Sequence, residues 1–89
     1  MVASHPQAGQ GVRELSMLIV LDYMQATPAC HPGGGGMTQT DLFHNCGFDW
    51  GNQPGYKSSA QQMWFYALLK VLEQKGKIQQ LSDDNWRLI

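Results

Sequence analysis

The segment between Gly55 and Gly76 constrains the fold most, because it is the longest part of the chain without glycine or proline. Ser58 or Ser59 can cap the start of a helix there, and Gly76 can end it after Lys75. At about 100° per residue, one arc of that helix is apolar and faces the core, whereas the opposite arc carries a single charge. The core arc holds Gln61, Phe65, Leu68, Leu69 and Leu72, flanked by Trp64 and Val71, and the outer arc holds Ser59, Met63, Tyr66, Ala67, Lys70 and Gln74.

A first helix is predicted from Val12 to Gln25 by apolar residues that recur at steps of three and four. The stripe expected to face the core consists of Val12, Leu15, Leu18, Ile19 and Tyr23, widened by Leu21 and Met24. Two prolines and the run from Gly33 to Gly36 follow, and they predict a flexible loop, because glycines lose much backbone entropy on ordering and proline removes hydrogen-bond donors.

Two shorter elements complete the pattern. A helix of about two turns is predicted after Thr38 or Thr40, either of which can cap it, with Cys46 and Gly47 as its end. The segment from Phe48 to Lys57 is predicted to be a loop that packs on the domain through its aromatic side chains. Residues 77–81 and 85–89 then show apolar residues at even spacing on both sides of a turn, which is typical of a β-hairpin.

Length and composition limit the architecture to one domain. The chain has 89 residues, of which 43% are hydrophobic and 15% charged, so it carries material for one core and lacks the composition of a disordered protein. Met1 to Gly11 have neither a basic cluster nor an apolar run, and we expect a disordered lead-in before a domain of residues 12–89. The longest apolar run, from Met17 to Leu21, is too short for a bilayer. Two cysteines favour a reducing, intracellular compartment, cytoplasmic or nuclear.

The order of elements resembles the winged-helix family. The long helix runs through Leu69-x-x-Leu72-Glu73-x-x-Gly76-x-Ile78 into a strand, which is followed by a returning Trp86-Arg87-Leu88. The phrase from Met37 to Leu42 is similar to the short strand and second-helix start of that family. The resemblance implies an α+β fold, a small winged-helix domain of three helices with a C-terminal β-hairpin.

The same resemblance implies a double-stranded DNA partner, with the third helix in the major groove, and a role in transcription or another DNA transaction. Glutamine can bond adenine, and serine or lysine can hold phosphate. The residues that the resemblance places at the DNA are Ser58, Ser59, Gln62, Met63 and Tyr66 at the bases and Lys57, Lys70 and Arg87 at the backbone.

A winged helix that binds protein instead of DNA is the alternative. Residues 1–56 hold one basic residue against four acidic ones, and residues 57–89 hold five against three, so the second half is only weakly positive. Asp83 and Asp84 put negative charge at the wing tip, where acidic side chains gain nothing from phosphate. Met63 and Tyr66 are residue types enriched in the cores of protein interfaces, so a homodimer or another protein partner also fits.

Neither a metal, a cofactor nor an enzymatic activity is expected. Cys30-His31 and His44-x-Cys46 have gaps shorter than those of zinc sites, and Cys46 is better explained as a small buried hydrophobe and Cys30 as a loop thiol. The glycine run has neither a preceding strand nor the ending of a phosphate-binding loop. Acidic residues and nucleophiles are scattered without pairing, so no catalytic group is indicated.

Overall fold

The computed structural model describes residues 4–49 and 59–89, the side chains of residues 59–61 excepted. Its elements are α1 (His5–Gln25), a 3₁₀ turn (Pro28–Cys30), α2 (Gln39–Asn45), α3 (Ser59–Gln74), β1 (Ile78–Gln80) and β2 (Trp86–Leu88). This order confirms a small α+β domain of three helices with a C-terminal antiparallel hairpin. In the described ranges, no helix has the length and apolar character that crossing a membrane requires.

The hairpin pairs Ile78 with Leu88 and Gln80 with Trp86. Its turn is closed by the Leu81 amide, which donates to the Asn85 carbonyl at 2.7 Å. On the other side of β2, Met37 and Trp86 exchange backbone hydrogen bonds of 2.9 and 2.8 Å. A single residue from the segment before α2 thereby extends the sheet, and β2 lies between it and β1.

One hydrophobic core joins the three helices to the hairpin. Its buried residues are Val20, Met24, Cys30, Leu42, Phe43, Phe65, Leu68, Leu69, Leu72, Ile78 and Trp86. The predicted core arc of α3 is confirmed for Phe65, Leu68, Leu69 and Leu72, and the side chain of Gln61 lies outside the described part of the chain. Trp64 and Val71, predicted at the flanks of that arc, are 44% and 38% exposed.

The ends of α2 and α3 lie close to their predicted positions. Thr38 caps α2, since its hydroxyl accepts a hydrogen bond from the Asp41 amide at 3.2 Å. Gly47 and Gly76 follow α2 and α3 with φ of 79° and 73°. This left-handed conformation commonly ends a helix, and glycine adopts it most readily. Ser59 is the first residue of α3, and the possible cap Ser58 lies outside the described residues.

Helix α1 begins earlier than predicted. The prediction of a start at Val12 was wrong, because residues 5–11, expected to be disordered, are helical. Ser4 caps the helix by accepting from the Gln7 amide at 3.2 Å, and a proline lies in its first turn, where its missing N–H costs nothing. These start signals outweigh Gly9 and Gly11, which are unfavourable residues inside a helix.

The side of α1 that faces the core was also predicted wrongly. The buried residues are Ser16, Val20 and Met24, with Tyr23 half-buried. Most of the stripe predicted for the core is exposed instead, at Val12 (62%), Leu15 (58%), Leu18 (63%) and Ile19 (37%). Ser16 tolerates burial because its hydroxyl donates to the Val12 carbonyl at 2.9 Å. Helix α1 is therefore apolar on two sides, and one of them is left in solvent.

The glycine run is held in place, contrary to the prediction of a flexible loop. The Gly34 amide donates to the His31 carbonyl at 2.8 Å, and the Gly36 amide to the Ala29 carbonyl at 2.7 Å. A Cβ atom at Gly34 would lie 2.5 Å from the Ala29 carbonyl oxygen. At Gly36, where φ is 78°, a Cβ would lie 2.8 Å from the carbonyl oxygen of Trp86. Two of the glycines are thus required by the close approach of backbone to backbone.

Candidate nucleic-acid interface

The structure brings part of the predicted site together on one face. Gln62, Met63 and Tyr66 of α3 line a shallow concavity of about 450 Å³, and Gln39 of α2 completes it. Lys57 and Ser58 lie outside the described residues, as does the side chain of Ser59. Lys70 and Arg87 do not line this concavity. We call the four lining residues, Gln39, Gln62, Met63 and Tyr66, the α2–α3 face.

Gln39 ties α2 to α3 at this face. Its side-chain amide donates to the Gln62 backbone carbonyl at 2.8 Å and to the Gln62 side-chain oxygen at 2.9 Å. Because both residues are half-buried, these bonds hold the side-chain amides of Gln39 and Gln62 in place where solvent can still reach them. Sequence reasoning missed Gln39. The sequence signal that could have indicated Gln39 is its position directly after the cap Thr38, since this residue begins the helix that packs on α3.

Met63 and Tyr66 form the apolar part of the α2–α3 face. Met63 is 71% exposed and Tyr66 is 42% exposed, which confirms the prediction that both point away from the core. The Tyr66 ring meets the buried Trp86 ring edge-to-face, with centroids 6.2 Å apart and planes at 69°. Trp86 therefore restricts the orientation of the Tyr66 ring, and part of the Tyr66 ring stays accessible to solvent.

Lys70 is engaged by its own helix. Its ammonium group lies 2.5 Å from a carboxylate oxygen of Glu73 and 5.8 Å from the centre of the Tyr66 ring. The hydrogen bond to Glu73 raises the pKa of Lys70, and the same bond lowers the pKa of Glu73. Glu73 thus offsets the charge that a phosphate contact at Lys70 would use.

Arg87 lies apart from the α2–α3 face and holds the glycine run. Its guanidinium donates from Nη1 to the Gly34 carbonyl at 2.8 Å. The Arg87 Nε atom is buried and has no hydrogen-bond partner within residues 4–49 and 59–89. The predicted phosphate contact at Arg87 thus falls on a half-buried side chain with a structural bond inside the domain.

The wing tip carries exposed acidic side chains. Asp83 and Asp84 are both exposed, and a carboxylate oxygen of Asp83 accepts from the Asn85 amide at 3.1 Å. Asp84 has a φ of 69°, a left-handed turn conformation that aspartate tolerates better than most residues. Asp83 therefore stabilises the turn, and the turn presents negative charge to anything that approaches it.

An aromatic cluster fixes the first turns of α3 against α2. Phe43 and Phe65 have ring centroids 5.1 Å apart, and Phe48 lies edge-to-face with Trp64 at 5.8 Å. These rings pack on one another, as expected for core aromatics and not for a platform that stacks nucleotide bases. Trp50, an aromatic residue of the loop predicted from Phe48 to Lys57, lies outside the described residues.

The two cysteines exchange their predicted environments. Cys30 is fully buried and Cys46 only partly, whereas the sequence predicted Cys46 as the buried one. Burial raises the pKa of the Cys30 thiol, and burial, followed by the nearby Cys30, raises the pKa of Cys46 to about 11. His31 hydrogen-bonds the Gln25 carbonyl at 2.7 Å, and His44 pairs with Asp49. Over the described ranges, no three histidine, cysteine or acidic side chains converge as metal ligands do.

Comparison with protein-family models, with curated proteins and with solved structures found no significant match to this chain.

Proposed function

We propose that this chain is a winged-helix module that binds double-stranded DNA through the α2–α3 face. The observation that supports this most is the pairing of Gln39 with Gln62 beside the exposed Met63 and Tyr66 on adjoining helices. A role in transcription or another DNA transaction, and an intracellular location, belong to the same proposal.

The residue types on this face suit the major groove. A glutamine amide can donate to and accept from the edge of adenine, and apolar side chains contact the methyl group of thymine. Helix α3 is 16 residues long and is anchored along its inner side by Phe65, Leu69 and Leu72, so its outer side can enter a groove as a rigid unit. We therefore expect contacts to A·T pairs.

Electrostatics make the expected binding weak for one domain. Lys70 is paired with Glu73, Arg87 is bonded inside the domain, and the wing tip is acidic. Each phosphate that a protein neutralises contributes roughly −0.9 to the slope of log K against log salt. With few available cations, we expect a slope of only about −2 to −3.

The test is fluorescence anisotropy of labelled duplexes, A·T-rich and G·C-rich, at about 50 and 200 mM salt. We expect the wild type to bind at the lower salt and Tyr66→Ala to bind roughly 10-fold more weakly, the cost of about 1.4 kcal/mol of contact. Gln74→Ala is the matched control, because Gln74 is exposed near the far end of the same helix. Absence of binding by the wild type at about 50 mM salt would rule the proposal out.

Protein binding by the same face is the second candidate. It is favoured by the exposed Met63 and Tyr66, since methionine and aromatic residues are enriched at protein interfaces. It is also favoured by the pairing of Lys70 with Glu73, because this ion pair leaves less positive charge for phosphate. In that case duplex binding is absent, and the double variant Met63→Ala with Tyr66→Ala abolishes self-association or the capture of a partner while the circular dichroism spectrum stays unchanged.

A further inference from the structure

The exposed side of α1 carries a heptad pattern. The residues His5, Ala8, Val12, Leu15, Ile19 and Asp22 recur at alternating steps of three and four along the helix, and we call them the α1 seam. Alternation of this kind keeps one line of side chains facing a partner helix in a coiled coil. Val12, Leu15 and Ile19, the apolar centre of the α1 seam, are all exposed.

We propose that the α1 seam binds the α1 seam of a second copy of this chain, with the two helices antiparallel. In this register Val12 faces Leu15 of the second copy, and Ala8 faces its Ile19, so in each pair a smaller side chain meets a larger one. A two-fold axis repeats every contact, which makes the surface complementary to itself.

The polar ends of the α1 seam select the antiparallel orientation. The same register places the carboxylate of Asp22 opposite the imidazole of His5 of the second copy, once at each end of the seam. A parallel, in-register pair would instead set Asp22 against Asp22, and like charges at a helix interface are destabilising. Leu18, which flanks the seam and is exposed, then lies over Gly11 of the second copy, where no side chain obstructs it.

The composition of α1 favours a protein occupant over a lipid surface. Helices that lie on membranes carry lysine and arginine along the border of their apolar face. Arg13 is the only such residue in α1, and it lines a cavity against α3 on the other side of the helix. The acidic Asp22 lies within the seam itself, where anionic headgroups would repel it.

Sedimentation equilibrium of the purified chain tests the proposal. We expect a dimer of about twice 9.9 kDa at concentrations of roughly 100 µM. Leu15→Glu should weaken it by at least about 100-fold, because each dimer loses two buried leucines. Ile89→Glu is the matched control, a similarly exposed apolar position directly after β2 and outside both the α1 seam and the α2–α3 face, and should leave the dimer unchanged. A wild-type monomer at every concentration, or a dimer that survives Leu15→Glu, overturns the proposal.

A charge exchange tests the register separately from the apolar contact. Asp22→Lys alone should weaken the dimer about 10-fold, and adding His5→Glu should restore it, because the two new side chains carry opposite charges and face each other in the antiparallel register. Failure of the double variant to recover overturns the antiparallel register. Because neither residue lies on the α2–α3 face, duplex binding by that face can fail while the α1 dimer persists.

Discussion

Alanine substitution along the glycine run separates a held segment from a flexible one. The four positions differ in what a Cβ atom meets. At Gly36, φ is left-handed and an added Cβ would lie 2.8 Å from a backbone oxygen. At Gly34, an added Cβ would lie 2.5 Å from a backbone oxygen, but φ is not left-handed. Gly33 has a left-handed φ of 87° and open space around the Cβ position, whereas Gly35 has neither obstacle. A side chain in the left-handed region costs roughly 1–2 kcal/mol. Replacing glycine by alanine also lowers the conformational entropy of the unfolded chain, which stabilises the folded state by about 0.4–1 kcal/mol.

The expected free energies of unfolding follow from these differences. Gly36→Ala should lose about 2–3 kcal/mol, because strain in φ and the contact with the Trp86 carbonyl oxygen both apply. Gly33→Ala should lose about 1 kcal/mol, and Gly35→Ala should be neutral or gain up to about 1 kcal/mol. Gly34→Ala should fall between Gly33→Ala and Gly36→Ala, since the Ala29 carbonyl must move.

Urea unfolding monitored by tryptophan fluorescence measures the series, since Trp86 is buried in the folded state. A loss of 2 kcal/mol shifts the midpoint by about 1–2 M when the denaturant slope is about 1–2 kcal/mol per molar. Gly35→Ala is the internal control. If the four variants agree within about 0.5 kcal/mol, the glycine run is a flexible connector and is not held by the contacts of Gly34 and Gly36.

Three further predictions concern the core, a helix cap and a thiol. Leu69→Ala should lower the free energy of unfolding by about 2–5 kcal/mol and Met63→Ala by no more than about 0.5, measured by urea titration, because only Leu69 is buried. Thr38→Ala should lose about 1 kcal/mol in thermal unfolding and Thr38→Ser almost nothing, since serine keeps the cap of α2. Because folding raises the pKa of Cys46 from 9.0 to about 11, its contribution to stability is complete below pH 9 and is lost as pH rises through 11. Cys46→Ala should flatten that loss in urea titrations across the same range.

The parts of the fold that sequence predicted correctly are those with local signals. The cap Thr38, the glycines after α2 and α3, and the apolar arc of α3 each lie within a few residues of the feature that they specify. The hairpin was likewise predictable, because alternating apolar residues flank a turn.

Two features could not be predicted from the sequence: which of two apolar sides of a helix faces the core, and which contacts form between residues far apart in the chain. Helix α1 is apolar on two sides, and only the positions of α3 and β2 decide that Val20 is buried and Leu15 exposed. The glycine run is held by Arg87, which is 53 residues from Gly34 in sequence and gives no local sign of that bond.

The same distinction applies to the candidate site. Met63 and Tyr66 could be predicted as outward-facing from helical periodicity alone. Gln39 could not be placed beside Gln62, since the packing of α2 on α3 brings them together across 23 residues. The ion pair of Lys70 with Glu73 was not predicted, although a spacing of three residues on a helix permits it, and it offsets the Lys70 charge that the prediction assigned to phosphate.

A titration of the ¹⁵N-labelled protein with an A·T-rich duplex at low salt, followed by amide chemical shifts, tests whether the α2–α3 face binds DNA. We expect shifts at Gln39, Gln62, Met63 and Tyr66, with Leu15 on α1 unchanged. Shifts confined to α1 or to the hairpin turn, or a spectrum that the duplex leaves unaltered, would contradict it.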